Sequence, residues 1–282
     1  MIALVIAALA GAIGSDVAQS VETDEAAQYN RWRKFYEQRA ADFVVTEGGD
    51  QRLLMLHPNP LQNYSNPVRS AAQHGTIHLW ADAGRPRAIG SIWSAIDRKN
   101  SEQRVLCYEF HSLSELPLSL SLNNKNLWSP TEPGIQWQQF ESAPAPAKSR
   151  PARLTQMRKL LGGLRADLES SESELRLLTQ PIYRYPADVE GVLDGAIFSY
   201  VMGTDPEVFV LLEARAPVAG QDPVWHFAPA RFTGGALALT QDDKTLWHSP
   251  KWEYERHKIY DFLFGVERLP AEWVDEELKL AE

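Results

Sequence analysis

The 282-residue sequence predicts an α+β protein made by tandem duplication of one module, a helix followed by an antiparallel β-meander. Three observations support this prediction. A helical pattern precedes short apolar stretches separated by turns, this order recurs after a linker rich in proline and alanine, and individual residues recur at matching positions. We expect the two modules to pack with pseudo-twofold symmetry. The helix of each module then covers one face of its sheet, and the other module covers the opposite face.

The composition is that of a globular protein that does not bind nucleic acid. Hydrophobic residues make up 44% of the chain and charged residues 23%, which excludes disorder as a description of the whole. The formal net charge of -9 would repel a phosphate backbone. Two basic clusters fall on the polar side of helical patterns, and they are Arg31, Arg33 and Lys34, then Arg153, Arg158 and Lys159. We interpret both as solvated helix faces rather than as a basic patch.

The first 20 residues resemble a signal peptide. The apolar run from Ile2 to Gly14 is shorter than the roughly 20 residues that span a bilayer, and small residues flank a cleavage position at Ala18 to Ser20. No Lys or Arg precedes the run, so an uncleaved N-terminal anchor is the alternative. We expect an extracytoplasmic protein, periplasmic or secreted, without a transmembrane span in the mature chain. The single Cys107 is compatible with either compartment.

The first module is predicted over residues 21–141. Aromatic and apolar residues spaced by three and four predict an amphipathic helix over residues 24–43. The predicted strands that follow are residues 52–57, 76–81, 88–95, 104–110 and 116–122, with one further strand within 133–140. Tight reversals at residues 82–86 and 123–126 contain the Gly, Asn and Asp residues that tolerate positive φ.

A linker and a second module follow. Residues 142–151, rich in Pro and Ala, predict an extended linker. The second module covers residues 152–266: a helix from Leu154 to Leu168 is followed by five apolar stretches. They are residues 175–178, 196–202, 208–214, 223–227 and 236–240. Residues 251–266 predict a closing helix, and residues 267–282 an acidic C-terminal tail.

The two predicted modules match residue by residue. The pairs Gly75/Gly195, Ile77/Ile197 and Pro86/Pro206 share one offset, and the pairs from Val105/Val224 to Trp128/Trp247 share an offset shorter by one. Ala41-Asp42 and Ala166-Asp167 extend the match into the helices. Trp128 and Trp247 directly follow equivalent turns, so we expect both to anchor the core.

Three segments carry a resemblance to a known group of proteins. They are residues 84–89 (GRPRAI), 176–185 (RLLTQPIYRY) and 194–215. They resemble segments of uncharacterised exported proteins of planctomycete bacteria, and the resemblance covers most of the mature chain. It implies export and a bacterial source. It implies no activity, ligand or catalytic residue, because none is assigned to that family.

One candidate metal site can be assembled from the sequence, using His78, Glu109 and His111. His74 and His78 lie about 13 Å apart if the segment is a strand, too far to share one zinc ion. Glu109 and His111 share a face of their strand, and His78 would join them if the two strands were neighbours. The alternative is that all three lie on the solvated face of a half-exposed sheet. We favour the alternative and expect no cofactor.

Tryptophans supply the other candidate site. Trp93, Trp137 and Trp252 have no counterpart in the other half, so they are candidates for stacking on a sugar, with core packing as the alternative. The glycine pairs lack the spacing of a nucleotide-binding loop, and Gly90-Ser91 lacks the second glycine of a nucleophile elbow. A serine hydrolase built on another fold stays open.

The leading functional hypothesis is a non-enzymatic extracytoplasmic binding or structural protein. Its partner would be an unknown small molecule, glycan or protein, bound in a cleft between the modules, where pockets often form. One alternative is a metal-dependent or other hydrolase that uses the His78, Glu109 and His111 face. Another is a carrier of apolar ligands that resembles lipoprotein carriers in architecture alone.

Overall fold

The computed structural model shows a mostly antiparallel β protein with two helices and three sheets. It describes residues 30–66, 73–97, 100–130, 132–141, 143–169, 173–187, 189–216, 220–252 and 262–268. The predicted signal peptide, and the predicted acidic tail from residue 269 onward, lie outside the described residues.

The first half contains one helix and two sheets. Its elements are α1 (30–41), β1 (Phe43–Glu47), β2 (Arg52–Leu53), β3 (Met55–Leu56), β4 (Gln62–Asn66), β5 (Gln73–Asp82), β6 (Arg85–Asp97), β7 (Asn100–Ser112), β8 (Leu118–Leu122) and β9 (Lys125–Trp128), followed by β10 (Gln138–Gln139). One sheet has four strands in the order β2-β1-β8-β9. The other has six, with β7-β6-β5-β3 in sequence, β4 also on β5, and an edge strand from the end of the chain.

The second half contains one helix and one sheet of nine strands that curls into a half-barrel. Its elements are α2 (Arg150–Gly162), β11 (Arg165–Leu168), β12 (Ser173–Leu177), β13 (Tyr183–Arg184), β14 (Val192–Met202), β15 (Asp205–Arg215), β16 (Val224–Arg231), β17 (Leu237–Gln241), β18 (Lys244–Ser249) and β19 (Phe262–Arg268). The strand order is β10-β16-β15-β14-β12-β11-β17-β18, and β13 also pairs with β14.

Helix α2 is shorter than its apolar pattern predicts. The Ser149 side chain accepts the N–H of Ala152 at the N-terminus, and Pro151 lies in the first turn, both common signals for a helix start. At the other end the Gly163 N–H bonds to the Leu160 carbonyl. The predicted continuation to Leu168 is wrong, because the chain leaves the helix at the two glycines and enters β11.

Each pairing in the first half has a counterpart in the second half. The pairs β1–β2, β1–β8 and β8–β9 correspond to β11–β12, β11–β17 and β17–β18. The pairs β3–β5, β4–β5, β5–β6 and β6–β7 correspond to β12–β14, β13–β14, β14–β15 and β15–β16. The halves differ at one point. In the second half β12 pairs with both β11 and β14. In the first half two separate strands on either side of Leu54 make these pairings, β2 with β1 and β3 with β5. This break leaves the first half with two sheets.

The registers correct one part of the residue match predicted from sequence. Val45 pairs with Leu120, and Ala166 pairs with Leu239. The predicted match of Leu120 with Leu239 therefore places Val45, and not Ala41, at the position of Ala166, so the two predicted matches differ by four residues.

Two edge strands cross between the halves. Strand β10 follows the first half in the chain but pairs with β16, and β19 follows the second half but pairs with β7. The predicted closing helix over residues 251–266 is wrong at its end, where residues 262–266 belong to β19. Residues 253–261 lie outside the described residues. Each half thus supplies an edge strand to the sheet of the other.

The described residues form three apolar cores. One lies between α1 and the two sheets of the first half and contains Trp128, which is 1% exposed as predicted for an anchor. The second lies between α2 and the half-barrel, where Trp247 is only partly buried. The third contains residues of both halves, including Ile77 and Phe209. No helix in the described part of the chain is long and apolar enough to cross a membrane.

Candidate functional site

The structure separates the predicted trio of His78, Glu109 and His111. Strand β6 lies between β5 and β7, and His78 pairs with Gly90, which in turn pairs with Phe110. Directly paired residues share a face of a sheet, so His78 points towards the α1 core while Glu109 and His111 point towards the other half. Among the described residues there is no group of three His, Cys, Asp or Glu that could hold a metal ion. The predicted convergence is wrong because it required β5 and β7 to be neighbours.

The predicted alternative of a solvated sheet face is also wrong for the two histidines. His78 is 2% exposed and His111 is 1% exposed. The Nε2 atom of His78 lies 2.7 Å from Oγ1 of Thr76, and burial lowers the pKa of His78 to about 4. The His111 ring lies 4.7 Å from that of Phe232, and burial lowers its pKa as well. Both are neutral core residues at pH 7.

The three candidate tryptophans lie in different places. Trp93 is 8% exposed within the core shared by the two halves, so the core-packing alternative fits it. Trp252 is half-buried, and its backbone N–H donates to the carbonyl of Gly234. Trp137 is half-buried at the edge of the shared core, beside two arginines from different halves.

An ion pair joins the halves beside Trp137. The turn between β5 and β6, predicted at residues 82–86, has positive φ at Ala83 and Gly84, and it places Arg85 against the second half. The Nε and Nη2 atoms of Arg85 donate to Oε1 and Oε2 of Glu213 at 3.0 and 2.8 Å. Burial disfavours the charge on Arg85, but the Glu213 carboxylate outweighs it and raises the pKa of Arg85. The fully buried Glu213 therefore has the bidentate cationic partner that a buried carboxylate needs.

A second arginine lies over the ring of the same tryptophan. The guanidinium carbon of Arg215 is 4.4 Å from the centre of the Trp137 ring, and that of Arg85 is 5.9 Å away. The Nη1 atom of Arg215 also lies 3.4 Å from Oε2 of Glu213. Burial, reinforced by the charge of Arg85, lowers the pKa of Arg215 from its usual value. We call Arg85, Trp137, Glu213 and Arg215 the seam site.

The polar residues of the seam site occupy one end of an otherwise apolar sheet face. One row of paired residues crosses the half-barrel through Gly195, Glu213, His226 and Gln139. The corresponding row of the first half consists of Gly75, Trp93, Cys107 and Val266. The row of the first half thus carries no charged residue, and Glu213 belongs to the row of the second half.

Backbone acceptors complete the contact between the halves. The Tyr183 hydroxyl donates to the Gly84 carbonyl at 2.8 Å, and Nε2 of Gln62 donates to the Thr204 carbonyl at 3.3 Å. Gly84 lies so close to Pro186 that a Cβ atom would come within 2.6 Å of it. These contacts fix the position of the Arg85 turn and with it the geometry of the seam site.

A small polar cluster lies under α1 in the first half. The Tyr36 hydroxyl lies 3.0 Å from Nδ1 of His74 and donates to Oγ of Ser94 at 2.8 Å. Trp32 and His74 border a shallow surface depression above it. Ser94 is fully buried, so a substrate carbonyl cannot reach its hydroxyl as the attack of a catalytic serine requires. The cluster serves as a hydrogen-bonded support for α1.

The sequence pattern did not identify Arg85, Glu213 and Arg215 as site residues. One signal was available, because Glu213 lies inside the apolar run predicted as the strand over residues 208–214, where a carboxylate needs a buried partner. Nothing in the spacing indicated that this partner comes from the turn before β6. Trp137 was identified, as a tryptophan with no counterpart in the other half.

The chain matches no protein-family model, and comparison with curated proteins and with solved structures finds no similar protein.

Proposed function

We propose that this chain is a non-enzymatic extracytoplasmic binding protein in which two duplicated modules pack with pseudo-twofold symmetry and bind a ligand at the seam site. The observation that carries the proposal is Arg215, a half-buried guanidinium that lies over Trp137 and beside the buried Glu213. An arginine positioned over an aromatic ring is a pre-organised recognition group.

The matched strand pairings support the duplication. Seven pairings recur in the same order along the two halves, and the exchanged strands β10 and β19 occupy the same edge of their respective sheets. The buried helix residues also correspond, with Trp32, Tyr36 and Ala40 in α1 against Arg153, Met157 and Leu161 in α2. Arg153, predicted on a solvated helix face, is instead 6% exposed and donates to Asp194.

The packing argues against the two other hypotheses. A hydrolase using His78, Glu109 and His111 would need side chains that the sheet places on opposite faces. An apolar-ligand carrier would need space between its helix and its sheet, but the described residues place Met157, Leu161 and Phe198 there.

Export is proposed from the apolar N-terminal segment and is tested separately. The full chain expressed in a bacterium should appear in the periplasmic fraction with a new N-terminus after residue 20. Intact mass and N-terminal sequencing of that fraction decide between a cleaved leader, a retained anchor and cytoplasmic retention.

Binding at the seam is tested by thermal shift, since only a compound that binds the folded state raises the melting temperature. The panel consists of neutral monosaccharides, sugar acids, small carboxylates, phosphate and sulfate. A hit should shift the native protein by several degrees and lose that shift in Trp137→Leu. Trp247→Leu, a change at a partly buried tryptophan on the half-barrel, is the matched control and should keep the shift. Hits that persist in Trp137→Leu, or no hit in the panel, would reject the seam as the binding site.

A further inference from the structure

We propose that the seam site recognises a carboxylate group of its ligand and that Arg215 is the residue that holds it. This inference rests on the proposed binding function and adds the chemical class of the ligand. It is argued from the unused donors of Arg215, the charge balance of the seam site and the comparison with the other half.

Most of the hydrogen-bond donors of Arg215 are not used by the described residues. A guanidinium group carries five N–H bonds, and among the described residues only Nη1 of Arg215 meets an acceptor, Glu213 at 3.4 Å. That distance is long for a hydrogen bond between charged groups. The side chain is 22% exposed, so a ligand in solution can reach it.

Trp137 limits how a ligand can approach Arg215. The guanidinium carbon lies over the indole ring, 4.4 Å from its centre, so the ring blocks approach from that side, and the N–H groups of a guanidinium lie in its plane. Two parallel N–H groups on one edge match the two oxygens of a carboxylate, and this bidentate geometry distinguishes arginine from lysine. The ring also limits the rotamers of Arg215, which reduces the entropy lost on binding.

The charges of the site fit a singly charged anion. Arg85 and Arg215 share Glu213, which leaves one positive charge uncompensated by the residues that contact them. His226 adds no charge near neutral pH, because burial and the charge of Arg215 lower its pKa. The charge of the exposed Glu115 favours the charged forms of both arginines, so it competes weakly with a ligand through water.

The contrast between the halves indicates that this charge is not needed for folding. The positions that correspond to Glu213 and Arg215 in the first half are Trp93 and Ala95, which pair with Cys107 and Val105. The same sheet end is apolar there and packs into the shared core. The packing of this sheet face therefore does not explain the half-buried Arg215 of the second half, and ligand recognition supplies an explanation.

The experiment compares ligands that differ in one group. Isothermal titration with D-glucuronate, D-glucose, acetate and inorganic phosphate is carried out on the full protein and on Arg215→Gln, Arg215→Lys and Glu115→Gln. Arg165→Gln, a change of the same charge at a 61% exposed site, is the control. We expect binding of a carboxylate, about a tenfold or greater loss in both Arg215 variants, about two- to fivefold tighter binding in Glu115→Gln, and no change in the control.

The outcomes separate this inference from the proposed function. Equal binding of glucose and glucuronate with loss in Trp137→Leu would overturn the carboxylate and leave the seam as a binding site. Equal or tighter binding of phosphate, full binding by Arg215→Lys, or no binding of either carboxylate would also overturn it. If no compound of the wider panel gives a shift that depends on Trp137, the proposed function fails with it. Glu115→Gln leaves the stacked pair untouched, so its tighter binding tests the inference even if an Arg215 variant does not fold.

Discussion

The buried carboxylates of Glu47, Asp194 and Glu213 are each held by arginines. Glu47 lies 2.6 Å from Nη2 of Arg52 and also bonds to Ser114. Asp194 receives Arg153 and Arg184, and Glu213 receives Arg85. A buried carboxylate is costly unless it is paired. These side chains therefore define points where the packing tolerates little change.

Asp194 provides the first prediction. Asp194→Asn keeps the volume of the side chain but leaves Arg153, which is 6% exposed, without its anion. Breaking a buried pair on one side costs about 3–5 kcal/mol, so urea denaturation should show a loss of that size. The control is Asp167→Asn, whose pair with the exposed Arg165 is worth below about 1 kcal/mol. Similar losses in the two variants would mean that Asp194 contributes no more than a surface charge.

His78 provides a prediction on acid stability. Its pKa is lowered to about 4 in the folded protein, below the value near 6.5 of an unfolded chain. Between these values the unfolded state binds the extra proton, so stability is retained above pH 6.5 and lost as the pH falls towards 4. The difference in pKa corresponds to about 3 kcal/mol.

The measurement compares the native protein with His78→Leu. Free energies of unfolding are determined by denaturant titration from pH 7 to pH 4, and the variant should lose about 3 kcal/mol less over that range. A pH slope that is unchanged by the substitution would show that His78 is not the group that titrates. Its partner Thr76 loses a hydrogen bond in the variant at every pH, which shifts the level of the curve without changing its slope.

At the level of elements, a glycine in the long central strand of each half makes room for a tyrosine. A Cβ atom at Gly195 would lie 2.4 Å from the Tyr185 ring, and one at Gly75 would lie 2.5 Å from Cβ of Trp93 and 2.9 Å from the Tyr64 hydroxyl. Tyr185 is 1% exposed, so its ring has no free space to move into. The glycines repeated in the sequence therefore allow β4 and β13 to lie against their sheets.

This close approach predicts opposite effects of two glycine substitutions. Gly195→Ala forces the Tyr185 ring out of a packed core and should destabilise the protein by about 1–3 kcal/mol. Gly162→Ala lies in the last turn of α2, where an added Cβ has no atom within 4 Å, and should stabilise it by up to about 1 kcal/mol. Thermal unfolding of both variants gives the comparison. A stabilising effect of Gly195→Ala would show that the tyrosine can move aside.

Elements that are determined by neighbouring residues in the chain can be predicted from the sequence. Elements that are determined by contacts with distant strands cannot be predicted as well. The turn at Asn123 and Asn124 and the long strands β5, β6, β14 and β15 follow from turn residues and apolar runs. Strands β11 and β19 were predicted as helix, because their apolar residues continue a helical spacing and only the sheet partner decides otherwise. The seam site is of the second kind, since Arg85 and Glu213 lie 128 residues apart.

At the scale of the whole molecule, the halves share both a core and their edge strands. Phe209 of the second half is fully buried in the shared core, with its ring 4.5 Å from that of Phe232 and with Ile77 and Leu79 of the first half in the same cluster. Strands β10 and β19 cross in opposite directions between the halves. Neither half can unfold without exposing apolar surface of the other, so the fold should behave as one cooperative unit.

Phe209→Ala tests this cooperativity. Truncating a fully buried phenylalanine costs about 3–5 kcal/mol, and the loss should appear as one transition at lower denaturant concentration, with tryptophan fluorescence and far-UV circular dichroism coinciding. Hydrogen exchange should show equal loss of protection for the slowest amides of β6 and β15, because both then open only with the whole molecule. Val44→Ala, at a side chain that is 46% exposed, should change neither measurement by more than about 0.5 kcal/mol. Two separate transitions, or protection lost in β15 and retained in β6, would mean that the halves are independent and that the seam is only a contact surface.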